Sequence, residues 1–116
     1  MNPDVSLTGL SIHVKDVETL EATKAWYLAL PGAEIDHERP GFNCVIRIGR
    51  GVLNIVTLKK PEGFHIEIGS SDLDALRAHL RERGVQPDGP QPEKWGLQGI
   101  IVRDPAGNLV EFDDQL

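Results

Sequence analysis

The chain has 116 residues, of which 40% are hydrophobic and 26% charged, proportions that fit one ordinary globular domain with a single core. Its formal net charge of -6 argues against a nucleic-acid partner, which would call for clustered Lys and Arg to displace counterions from phosphates, whereas a cationic ligand would be tolerated. No apolar stretch approaches the roughly eighteen residues of a membrane span, and Met1-Asn2-Pro3-Asp4 lacks the basic and apolar regions of a signal peptide, so a cytoplasmic location without membrane contact is expected.

In chain order, residues 5–14 open with alternation, Leu10, Ile12 and Val14 on one side and Gly9, Ser11 and His13 on the other, which predicts a half-buried strand. From about Leu20 to Leu30 the apolar spacing changes to three and four, and Pro31-Gly32 supplies a helix stop. Trp26 and Tyr27 on this helix are expected in the core. Residues 33–38 form a weaker strand signal. Residues 42–48 and 52–58 are rich in β-branched residues and flank Gly49-Arg50-Gly51, which predicts a hairpin. The lone Cys44 lies in the first of these runs, has no partner for an intramolecular disulfide and reads as a buried, inert thiol. Lys59 to Gly63 reads as a linker.

The second half follows the same outline. Residues 64–68 predict a strand, and residues 72–83 a helix with Leu73, Leu76 and Leu80 on its apolar stripe, Ser71 or Asp72 as its cap and Gly84 as its stop. Residues 87–92, rich in proline, read as an irregular edge strand or loop. Residues 97–112 then predict a closing hairpin, with Arg103-Asp104-Pro105-Ala106-Gly107-Asn108 as its turn. Strand alternation puts Leu109, Glu111 and Asp113 on one face, so Glu111 stands mid-strand. A carboxylate there is costly to bury unless hydrogen-bonded, paired or metal-bound; the alternative is a solvent-facing edge. Both halves run β-α-β-β-β, which points to one domain, residues 1–116, built from two copies of one unit, about residues 5–60 and 63–116.

Several of these pieces resemble the vicinal oxygen chelate superfamily of glyoxalases, bleomycin-resistance proteins and extradiol dioxygenases. The most specific is Trp95-Gly96 followed by residues 102–112, similar to the closing hairpin of the bleomycin-resistance branch. Trp26-Tyr27 with Gly32, and His65-Ile66-Glu67-Ile68 ahead of Asp72-Leu73-Asp74, support it. The resemblance implies an α+β fold of two paired βαβββ modules forming cupped mixed sheets with helices outside, a small-molecule ligand in the cup, and a homodimer.

For chemistry, the resemblance implies metal ligands from the first and fourth strands of each module. His65 and Glu111 match the two positions of the second module. In the first module the histidine position, seven before Asp16, falls on Gly9, while His13 lies four residues further along the same face. Four strand residues span roughly 13 Å, which is long against metal bonds of about 2 Å, so His13 reaches the site only in a shifted register. The fourth-strand position falls near Asn54, a weak ligand.

Two readings follow. On the first, the cup is a preformed pocket that sequesters a drug-like or cationic molecule without catalysis, contacted by Asn54, His65, Trp95 and Glu111, and no metal is needed. On the second, His13, His65 and Glu111 hold one divalent ion, Zn, Ni, Mn or Fe, and the protein is a lyase, isomerase, transferase or dioxygenase acting on vicinal oxygens, with Glu67 as the base. His65 can equally be a strand histidine hydrogen-bonded inside the cup. Trp95 reads as a lid over the ligand or a plug under the sheet edge. His37 is expected at the surface and His79 on the exposed side of the second helix.

Overall fold

A computed structural model describes residues 3–59, 63–85 and 99–114 of the chain. The chain divides into two compact units, one of residues 9–65 and one of residues 1–8 with 66–116. Among the described residues there are seven strands and two helices, an α+β fold with mixed sheet, as expected from the sequence.

The unit of residues 9–65 holds most of β1 (Val5–Val14), then α1 (Val17–Leu28), β2 (Glu34–Arg39), β3 (Asn43–Ile48) and β4 (Gly51–Thr57). β2, β3 and β4 are joined by antiparallel ladders, and β4 runs parallel to β1 with Ser11 opposite Asn54 and His13 opposite Val56. The helix starts earlier than the apolar spacing indicates. Asp16 caps it, accepting a hydrogen bond from the Thr19 backbone N–H at 2.8 Å, so that the first turn lies in the less apolar segment before Leu20. One face of α1 then covers β3 and β4: Leu20 packs with Val14, Cys44, Ile46 and Ile55, and Tyr27 and Leu28 close over the cluster. Trp26 does not join them. It is 67% exposed and meets only the edge of the Tyr27 ring, because the helix surface facing the strands is filled by its neighbours. β2 is exposed along its whole length, as its charged sequence suits an edge strand. Cys44 is buried, and that burial pushes its thiol above the ordinary value.

In the other unit the start of β1 lies beside β5 (Phe64–Ser70), whose first two residues belong to the unit of residues 9–65. α2 (Leu73–Glu82), β6 (Ile100–Arg103) and β7 (Leu109–Asp113) follow. Asp72 caps α2 by accepting from the Ala75 N–H, and Gly84, at φ +84°, ends it in the left-handed conformation that glycine adopts without strain. β5 and β7 are parallel and β7 and β6 antiparallel. The turn between β6 and β7 is tied by Asp104, whose carboxylate accepts from both the backbone and side-chain N–H of Asn108; these bonds hold its pKa below the usual carboxylate value. The strand or loop expected at residues 87–92 lies outside the described residues.

Candidate metal centre

The chemistry-bearing side chains gather on β5 and β7. His65 and Glu67 are two residues apart on one continuous strand, so they project from the same face. The parallel register sets Glu67 directly opposite Glu111. One ligand atom from each of His65, Glu67 and Glu111 lies within 4.8 Å of the others. Ligands of a single ion with bonds of about 2.1 Å stand at most about 4.2 Å apart, so a small inward adjustment of these side chains closes the set.

Burial sharpens the point. His65 is 0% exposed and Glu111 4%, while Glu67 is half-buried. Taking a carboxylate out of water is costly, and a second one directly across the ladder adds like-charge repulsion. A divalent cation among one imidazole nitrogen and two carboxylate oxygens relieves both, and this donor set suits Mn, Fe, Ni or Zn. The residues therefore fit a metal on the chemistry of their donors.

His13 lies against this group. Its Nε2 is 2.7 Å from Nδ1 of His65, with the ring centroids 5.0 Å apart and the planes tilted by 47°. The contact is set by backbone as well as side chain, since the His13 N–H donates to the Gly63 carbonyl, two residues before His65, at 2.9 Å. Sequence spacing alone made this meeting look remote. The alternative position, Gly9, is closed to any side chain: a Cβ there would stand 2.3 Å from the Val52 carbonyl oxygen, and its φ is +156°.

Asn54, on β4, takes part in a different set of contacts. Its Oδ1 accepts from the Asn43 amide at 2.9 Å and its own amide donates to the Ser11 hydroxyl at 3.0 Å, with Ser11 fully buried. Neither Asn43 nor Ser11 was singled out from the sequence; the signal available was the polar residue beside an apolar neighbour on each strand. Trp95 lies outside the described residues. His37 is exposed and bonded to Asp36, as its charged surroundings indicated.

The sequence matches the profile of the Glyoxalase/Bleomycin resistance protein/Dioxygenase superfamily over residues 12–112. The chain belongs to that superfamily. Solved structures agree in fold. A hypothetical protein of Bacillus halodurans C-125 superposes with a TM-score of 0.71 at 19% identity, covering 97% of this chain and 96% of its own. A variant of Streptomyces coelicolor methylmalonyl-CoA epimerase, in complex with 2-nitronate-propionyl-CoA, gives 0.69 at 22% identity, covering 95% and 94%. A superfamily member from Vibrio splendidus 12B01 gives 0.63 at 14% identity, covering 97% and 100%. No curated protein matches the chain.

Proposed function

We propose that this protein is a divalent-metal-dependent enzyme of the superfamily, acting on a small substrate with vicinal oxygens by moving a proton next to a carbonyl. The observation that carries this reading is the convergence of buried His65 and Glu111 with Glu67 on two paired strands. These three side chains would hold the ion, and one histidine with two carboxylates leaves further positions for substrate oxygens. A bound ion of this kind polarises a carbonyl and stabilises negative charge that develops on its oxygen.

The remaining work falls to the chain itself. A carboxylate needs only one oxygen for a metal, and Glu67 is the one member of the trio that is not buried, so its second oxygen is the group placed to take a substrate proton. Burial of His65 and Glu111 keeps competing water from the donor atoms. The likeness to an epimerase holding a nitronate analogue of an acyl thioester supports proton transfer as the reaction class. A homodimer belongs to the same reading, supported by Val5 and Leu7, which β1 leaves exposed.

A second reading, sequestration of a ligand without catalysis, is favoured by one observation: at the position where the fold would draw a fourth-strand ligand from the first half, the Asn54 amide is engaged by Asn43 and Ser11. The two readings part on metal uptake. Metal analysis of protein purified without chelator, with calorimetric titration of Mn²⁺, Fe²⁺, Ni²⁺ and Zn²⁺, is expected to show one equivalent bound. His65→Ala and the near-isosteric Glu111→Gln are both expected to abolish it, the second while leaving the fold intact. The loaded protein in D₂O is expected to exchange the proton next to the 2-carbonyl of a 2-oxo acid, and Glu67→Gln to stop that exchange. No uptake even at millimolar metal removes the enzyme reading and leaves sequestration.

A further inference from the structure

His13 and His65 form the one pair of imidazoles joined directly through ring nitrogens among the described residues, and the direction of that bond has a chemical consequence. Nδ1 of His65 is engaged with His13 Nε2 at 2.7 Å, so whether it gives a proton or receives one it has no lone pair left for an ion. Coordination by His65 must then use Nε2. For Nε2 to offer its lone pair, the proton of the neutral ring has to sit on Nδ1, and His13 Nε2 has to be the acceptor. We propose that His13 is a positioning residue, one that fixes the orientation and tautomer of His65 for Nε2 coordination and is not itself a ligand. The inference rests on the metal reading above.

Two observations and one general rule support it. His13 stands outside the group whose ligand atoms lie within 4.8 Å of one another. Its own Nε2 is already committed to His65, and its backbone N–H donates to the Gly63 carbonyl, which holds the His13 backbone beside the start of β5. A metal-ligating histidine usually passes its other ring N–H to an acceptor that sets its tautomer and raises its basicity, and removing such an acceptor typically weakens metal binding by about 10- to 100-fold. Most such acceptors are carboxylates or carbonyls. A neutral imidazole in this place donates no negative charge, so the net charge of the centre is left to Glu67 and Glu111.

The test uses calorimetric Zn²⁺ titration of wild type, His13→Ala, His13→Gln and His65→Ala, with long-range ¹H–¹⁵N spectra of histidine-labelled, Zn²⁺-loaded protein. Expected results are a loss of about 10- to 100-fold in Zn²⁺ affinity for His13→Ala, against complete loss for His65→Ala. His13→Gln, whose amide oxygen accepts the same hydrogen bond, is expected to recover most of the affinity. The spectra are expected to show one coordinated imidazole, metal on Nε2 and proton on Nδ1. Two coordinated imidazoles, or a His13→Ala defect as complete as that of His65→Ala with no recovery in His13→Gln, would make His13 a ligand and overturn the inference while leaving the metal reading in place. Absence of Zn²⁺ binding by wild type removes both.

Discussion

Two glycines mark where a single atom decides. A Cβ on Gly99 would lie 2.1 Å from the Phe112 carbonyl oxygen and 2.9 Å from Cγ of Glu111, whereas one on Gly107, in the same hairpin, meets nothing within 4 Å and suffers only from a φ of +90°. Gly99→Ala is therefore expected to destabilise the protein by about 1–3 kcal/mol through overpacking and to displace Glu111, lowering metal uptake. Gly107→Ala is expected to cost about 1 kcal/mol in backbone strain and to leave uptake unchanged. Chemical denaturation with metal titration of the two variants separates them; equal uptake in both would show that Glu111 does not depend on that close contact. Residue identity misled in one place, since Trp26 is apolar enough to expect in the core yet is exposed on α1. Hydrophobicity ranks side chains but does not say which face of a helix already has its complement.

The elements themselves were largely legible. The strand over residues 5–14, the hairpin of β3 and β4, the Gly84 stop and the closing hairpin follow from period-two runs and turn residues, signals that are local and therefore survive in sequence. The start of α1 lies ahead of the apolar spacing because its first turn carries little apolar pattern, and Asp16, a residue type favoured at the N-cap, is the cue that marks it. That cap has a pH signature. Its hydrogen bonds to Thr19 hold the Asp16 carboxyl below its usual value of 3.8, so the folded state favours the ionised form. The contribution is complete above that usual value and is lost as pH falls through the lower folded one. Asn caps equally well without titrating, so Asp16→Asn is expected to match wild type at pH 6 and to be the more stable of the two at pH 3, by thermal denaturation. An unchanged difference between the two pH values would mean that ionisation of Asp16 adds nothing to the cap.

At the scale of the whole chain, metal and fold are linked. A ligand held by the folded state alone stabilises it by about 2.7 kcal/mol at a free concentration one hundred times Kd, which in a domain of this size raises Tm by roughly 10 °C. Chelator treatment is expected to lower Tm by that amount in wild type and to have no effect on Glu111→Gln; identical melting with and without chelator in wild type would argue that no ion is resident. What the sequence left open was the register that decides whether His13 meets His65, because it depends on how two strands distant in sequence are aligned, a quantity no local pattern encodes. The Gly9 contact has a bearing on design. The two halves are not equivalent at this position: β1 brings bare backbone against Val52 at residue 9, while β5 and β7 carry His65, Glu67 and Glu111. A histidine introduced at residue 9 has no room until β4 is first moved away, so any engineer seeking a symmetric site must begin at Val52.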